Sequence, residues 1–159
     1  STGRKVTAGA TREPDQFSVL VPPDWRARIC THGTCKGRTF VRAKAKDSDR
    51  YANRYSAFMG GDFGFQRTTN DDPGAKGRIL MIKDSFGDAL STYLAERVSE
   101  LITIDERHYA GKEIRDLVQE VKPDVVIVLH NQVSVLGNVL FDSRVWVDAE
   151  EAAKSRTSR

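Results

Sequence analysis

Apolar residues run without interruption at residues 79–82 (ILMI), 101–104 (LITI) and 125–129 (VVIVL). Each run has the length of a strand and lacks the alternation of a half-exposed one, which predicts strands buried on both faces. Between the runs the period changes. Leu90, Tyr93, Leu94, Arg97 and Val98 fall at helical spacing over residues 88–98. Ile114, Leu117, Val118 and Val121 do the same over residues 112–121, just before Pro123, where a helix has ended. Strand, helix, strand, helix, strand predicts an α/β fold: a parallel sheet of three or more strands, flavodoxin-like, with right-handed crossovers and flanking helices.

The first half of the chain reads differently. Residues 16–21 (QFSVLV) predict a strand ended by Pro22-Pro23, and residues 25–29 (WRARI) a second. Residues 37–45 (GRTFVRAKA) alternate as a half-exposed antiparallel strand does. The aromatic- and glycine-rich stretch 48–74 has little periodicity and reads as a loop, either packed against a neighbouring sheet or lining a cleft. The pattern divides the chain into an irregular β-rich region with a Cys loop (1–49), an α/β domain (50–145) and an exposed tail (146–159) with helical character over DAEEAAKSR.

Composition narrows the function classes. A chain of 159 residues with 39% hydrophobic and 30% charged residues has the makeup of a globular protein. No apolar run approaches the length of a membrane-spanning helix. The start, STGRKVTAG, has no apolar leader segment and reads as a fragment or a processed form. Residues 1–78 carry 15 Lys/Arg against 8 Asp/Glu, and residues 79–159 carry 10 against 14. The basic residues of the first half are scattered, so a solvated surface is favoured over a nucleic-acid partner. Cys30 and Cys35 bracket THGT, and with His32 they would make a crowded metal cage; no metal or cofactor is expected. A disulfide-closed loop is the preferred reading, implying an oxidising, extracytoplasmic compartment (cell envelope or secreted); two free thiols are the other reading.

Ligands of an open parallel sheet bind beyond the carboxyl ends of its strands. Three loops emerge there, carrying Asp84-Ser85-Phe86-Gly87, residues 105–111 (DERHYAG) and His130-Asn131-Gln132. Ser85 precedes a helix, whose N-terminal N–H groups could stabilise charge forming near its oxygen. Plainer roles stand beside each: a helix cap for Ser85, a turn residue for Asn131, a packed histidine for His130, and a turn cap for Asp105.

KDSFG after one apolar strand, HYAG after the next and PDVVIVLHNQ on the third resemble the Ser, Gly and Asn blocks of the SGNH hydrolase superfamily. RYSAFMGGDF, ILMIKDSFGDALSTYLAERVSELITIDERHY and DVVIVLHN resemble, more closely, the C-terminal part of the DHHW family, related to alginate O-acetyltransferase-like proteins of bacterial envelopes. The resemblance covers residues 50–140. It implies Ser85 as nucleophile, with its own N–H, Gly111 and Asn131 as oxyanion donors. It also implies a serine esterase or O-acetyltransferase whose partner is acylated carbohydrate or polysaccharide. The Asp-His segment that the family carries upstream of the serine strand has no counterpart here, so Ser85 would lack its acid–base partners unless Asp105 and His108, whose Asp-x-x-His spacing resembles that of SGNH hydrolases, supply them from the neighbouring loop. A non-catalytic carbohydrate- or protein-binding domain on the same fold is the alternative.

Overall fold

The computed structural model describes residues 18–20, 24–46 and 52–132. Six strands form one sheet: β1 (Arg28–Thr31), β2 (Thr34–Arg38), β3 (Phe65–Thr69), β4 (Arg78–Lys83), β5 (Glu100–Asp105) and β6 (Val125–Leu129). Among the described residues three α-helices accompany them: α1 (Arg42–Ala45), α2 (Gly87–Leu94) and α3 (Ile114–Val121). A 3-10 helix spans Arg54–Ala57.

The strand order is β2-β1-β3-β5-β4-β6. β4 runs parallel to both β5 and β6, as the apolar runs predict. The other pairings, β3 with β5, β1 with β3 and β1 with β2, are antiparallel. The expected purely parallel, flavodoxin-like sheet is therefore corrected: the sheet is mixed and strand-rich. The cause is β3, which lies within the stretch expected to be a loop and pairs along β5 from Phe65↔Ile104 to Thr69↔Glu100. The β1–β2 hairpin continues the sheet from β3, so strands from both sides of residue 49 share one ladder.

That hairpin turns at His32 and Gly33, both with positive φ (48° and 78°), as a two-residue turn matched to strand twist requires. Cys30 and Cys35 lie opposite each other across it, joined by a disulfide. Residues 42–45, expected to extend a strand, form α1 instead. Ser18–Leu20 are described outside any strand, while the rest of the expected first strand and the C-terminal tail lie outside the described residues.

Side chains alternate along β4 and β5. Leu80, Ile82, Ile102 and Ile104 face α3 and pack with Ile114 and Leu117. Fully burying two such aliphatic side chains holds α3 in place with about 1.5–3 kcal/mol each. Met81 and Leu101 face the other way, against Ala95, with Leu94 and Val98 beside them. The α2 helix buries the apolar stripe expected of it only in part: Tyr93, Leu94 and, just beyond the helix, Val98 are half-buried against the core. Its buried positions are Gly87, Asp88, Ser91 and Thr92, whereas Leu90 is exposed. Ser91 Oγ donates to Gly87 O (2.8 Å), and Thr92 Oγ1 donates to the carbonyl oxygens of Thr39 (3.0 Å) and Asp88 (3.1 Å). These small side chains bring the helix close to the sheet with their hydroxyls satisfied. Nor is β6 the buried strand expected. Among the described residues it pairs on one side only, and Val125, Val126 and Val128 are 45–50% exposed.

Candidate active-site edge

The register brings the carboxyl ends of three strands level, with Lys83 opposite Asp105 on one side and Leu129 on the other. The loops carrying Ser85, His108 and Asn131 therefore leave the sheet at the same edge, with the serine loop central. This convergence follows from the β5-β4-β6 order of the parallel part of the sheet.

Asp84 builds the serine turn. It is 1% exposed, and one carboxylate oxygen accepts from Phe86 N (2.9 Å) while the other accepts from Asn131 N (2.7 Å). An Asp side chain bonding the amide two residues on forms an Asx-turn, and here it also ties the end of β6 to the end of β4. Gly87 N donates to Asp84 O, Asp88 N to Ser85 O, and Tyr55 Oη to Phe86 O (2.9 Å). Every neighbouring amide of the turn is thus engaged. The Ser85 hydroxyl and the Ser85 N–H form no hydrogen bond with a described residue, and Ser85 is half-buried.

Beneath the turn lies a charged cluster that the sequence did not announce. Lys83 is the last residue of β4, and the strand alternation points it to the α2 side, where it is fully buried. Its Nζ sits 2.6 Å from Asp88 Oδ1 and 3.4 Å from Asp62 Oδ1. Gly87 makes the approach possible, since a Cβ there would stand 2.6 Å from Lys83 Cβ and 2.7 Å from its Cδ. Burial raises Asp88 from 3.8 to about 6, against the pull of Lys83. Burial would raise Asp105 too, but hydrogen bonds from Arg107 win and hold it at about 2. Asp62 is raised, first by burial and then by Asp105.

The residues of the expected acid–base pair are placed apart from each other's chemistry. The Asp105 carboxylate accepts from Arg107 N (3.0 Å) and Arg107 Nε (2.9 Å) and pairs with Arg107 Nη2 (2.5 Å). His108 Nε2 faces Asp62 Oδ2 at 4.0 Å, and its own N–H donates to Asp105 O. Neither residue is hydrogen-bonded to Ser85. Asp62, Asp105 and His108 bring three potential ligand atoms within 4.8 Å of one another. Lys83 and Arg107 already face these carboxylates, so the cluster is neutralised by the chain's own cations.

Gly111 lies against the Tyr109 ring in a shallow groove of about 530 Å³ with Phe65 and His108. Asn131 donates its main-chain N–H to Asp84 Oδ2. The His130 side chain is buried, with Nε2 3.1 Å from Glu106 Oε2; burial pushes it below the usual imidazole range.

Asp84, Lys83 and Asp62 are the members that sequence reasoning missed. The Asp in D-S-x-G carried a readable signal, since Asp two residues before an amide at a helix start favours an Asx-turn. Lys83 offered a weaker one: its parity along β4 sets it on the side opposite Leu80 and Ile82.

No protein-family model matches the chain, and no characterised protein matches its sequence. Among solved structures, the fold is similar to that of a DHHW family protein from Eubacterium siraeum (TM-score 0.54, 20% identity, 70% of this chain and 37% of that one). PatB1 of Bacillus cereus also matches, at TM-score 0.46 and 51% of this chain. The form with a sulfonyl adduct is 22% identical over 28% of its length, and the form described without one is 23% identical over 27%. The chain thus spans between 27% and 37% of the length of the solved structures it matches. At these identities the likeness is one of fold, and the fold it supports is DHHW-like.

Proposed function

We propose that the Ser85 turn is the nucleophile half of a serine-dependent acyl-transfer site, an esterase or O-acetyltransferase acting on acyl groups of envelope carbohydrate. The observation that carries this reading is the state of Ser85 itself. It stands at the carboxyl end of the central parallel strand, in a turn whose other amides are consumed, with neither its hydroxyl nor its N–H bonded to a described residue. A nucleophile needs the first group, and an oxyanion formed at the same carbon needs the second. The start of α2 adds a favourable field for that charge. The disulfide in the β1–β2 hairpin supports an extracytoplasmic setting, where disulfides persist.

The base is the part that His108 and Asp105 do not supply in this arrangement, because Arg107 occupies the carboxylate. In the proposed mechanism a base from outside the described residues removes the Ser85 proton as its oxygen attacks the ester carbonyl. The Ser85 N–H, with the Asn131 side chain and the Gly111 N–H as further donors, receives the developing negative charge. The alkoxide leaving group takes a proton, and the acyl-serine passes its acyl group to water or to a sugar hydroxyl.

The same missing contact favours a second reading, a non-catalytic carbohydrate- or protein-binding domain. One experiment separates them. The chain is treated with a fluorophosphonate, with and without added imidazole as exogenous base, and the adduct is mapped by peptide mass spectrometry. The first reading expects an adduct on Ser85 that grows with imidazole and is absent from Ser85→Ala. No adduct on Ser85 at any imidazole concentration rejects it in favour of the binding domain.

A further inference from the structure

The acyl-transfer chemistry leaves one buried contact at the carboxyl edge of the sheet without a task. β5, β4 and β6 stand side by side and end level at Asp105, Lys83 and Leu129. The next residues along these strands are Glu106, Asp84 and His130. Neighbouring strands lie about 4.8 Å apart, so the main chains of Glu106 and His130 are about 10 Å apart, with the start of the serine turn between them. Their side chains nevertheless meet: His130 Nε2 stands 3.1 Å from Glu106 Oε2. The two therefore reach toward each other past the end of β4. The contact is internal, with the His130 side chain 2% and the Glu106 side chain 10% exposed.

The surroundings set the charge of the ring. Burial holds His130 below the usual imidazole range, with Arg107 acting the same way and Asp84 and Asp105 opposing, so near neutral pH the ring is uncharged. A neutral imidazole carries a single N–H, and Glu106 is the carboxylate within reach of Nε2. Neither ring nitrogen completes a well-aligned hydrogen bond among the described residues. A ring that only filled space would do so better as hydrocarbon, since buried nitrogens without aligned partners cost stability. What the ring anchors is the main chain just before Asn131. The Asn131 N–H donates to Asp84 Oδ2 (2.7 Å), while Asp84 Oδ1 accepts from Phe86 N (2.9 Å). The third loop is thus held to the second by His130 and Glu106, and to the serine turn by Asp84.

We infer that Glu106 and His130 form a buried clasp across the end of β4, and that both are positioning residues for the acyl-transfer site. They fix the third loop at Asn131 and, through Asp84, the turn that carries Ser85. Both side chains are too buried to touch a substrate, so the clasp acts only through these neighbours. Its effect on Ser85 rests on the acyl-transfer reading; the clasp itself is read from the loops and does not need the serine to react.

Amide hydrogen exchange followed by NMR on the whole chain tests it, with His130→Phe, Glu106→Gln and the double variant beside the unaltered protein. His130→Phe keeps a ring and removes both nitrogens. Glu106→Gln keeps the side chain's shape and removes its charge, so one variant decides the matter if the other fails to fold. Each single variant should speed exchange at the Asn131 and Phe86 amides about tenfold, as loss of one charge-assisted contact does, with the amides of β4 and β5 unchanged. The double variant should go no further than either single one, because the two side chains are halves of one contact. In fluorophosphonate capture at a fixed imidazole concentration, each single variant should lower the maximal rate of Ser85 labelling and leave the half-saturating probe concentration unchanged. Unchanged exchange at Asn131 in both single variants overturns the inference. So do effects that add in the double variant, or amides of β4 and β5 that exchange faster by the same factor, which is the mark of a pair that only packs. A labelling loss confined to the half-saturating concentration overturns the positioning role. If the unaltered protein is not labelled at all, the acyl-transfer reading falls, and the exchange result alone decides the clasp.

Discussion

Replacing Lys83 with Met tests the charged cluster under the serine turn. Met keeps most of the side chain's length and bulk, so the packing against Gly87 survives and the lost charge is isolated. Removing one partner of a buried ion pair costs about 3–5 kcal/mol, because the other charge is left uncompensated. Here the stranded group is Asp88, 2% exposed and already raised from 3.8 to about 6 with Lys83 in place. A carboxyl whose folded value lies above its unfolded one binds more protons when folded, so stability falls as pH rises between the two values. For Asp88 that fall spans the interval from 3.8 to about 6 and amounts to about 3 kcal/mol. Without Lys83 the folded value climbs further, and the fall continues to higher pH. Below about pH 6 both proteins hold Asp88 protonated when folded, and the difference due to this pair vanishes. Urea denaturation near pH 5 and near pH 8 measures it, as a shift in midpoint at constant slope. Between about pH 6 and pH 8 the continued fall can reach about 3 kcal/mol, so Lys83→Met should be less stable by about 2–3 kcal/mol near pH 8 and by much less near pH 5. A loss below about 1 kcal/mol near pH 8, or an equal loss at both pH values, would refute the reasoning.

Three other outcomes follow from the same edge of the sheet. Gly87→Ala drives a Cβ to 2.6 Å from Lys83 Cβ, which should cost about 1–3 kcal/mol by overpacking in thermal denaturation and lower fluorophosphonate capture at Ser85. Asp84→Ala removes the acceptor for Phe86 N and Asn131 N; a loss of about 2–4 kcal/mol is expected, with faster hydrogen exchange at those two amides and partial recovery in Asp84→Asn. Asp105, held at about 2 by Arg107 against burial, contributes about 2 kcal/mol that is complete above about pH 4 and lost as pH falls through about 2. Carboxyl carbon NMR should place its titration there, and Arg107→Gln should move the midpoint up and remove that acid-side stability.

The parts of the fold legible in the sequence were those where burial is apolar and continuous. Residues 79–82 and 101–104 became β4 and β5 because strands enclosed on both faces need apolar side chains at every position. The same rule misjudged β6, whose equally apolar run is an exposed edge in the described structure: composition records what a strand tolerates, not which neighbours it has. β3 escaped because its pattern is inverted. It buries Gln66 and Thr68 and exposes Phe65 and Arg67, so a reader of apolar alternation sees no strand. Gln66 is accommodated by donating to Met59 O at 2.9 Å, a partner that exists only in the folded chain. Missing β3 was enough to miss the mixed sheet, since it is the strand that turns the ladder antiparallel beside β5.

The site divides along the same line. Three loops at the carboxyl ends of parallel strands could be deduced from the strand–helix alternation, and Ser85 lies on the first of them. What surrounds Ser85 could not, because it depends on side chains whose partners are distant in sequence: Lys83 with Asp62, and Asp84 with Asn131. The Asp-x-x-His spacing suggested that Asp105 serves His108, yet Arg107, one of the two residues between them, takes the carboxylate. A guanidinium two residues from an Asp at a strand end reaches it in two directions at once, and its charged hydrogen bonds are roughly twice as strong as neutral ones. Spacing therefore set up the competition, and charge decided it. If Arg107→Gln freed Asp105 to turn toward His108, imidazole would no longer be needed for capture at Ser85. If capture in that variant still rose only with added imidazole, the pair would be excluded as the acid and base of this serine.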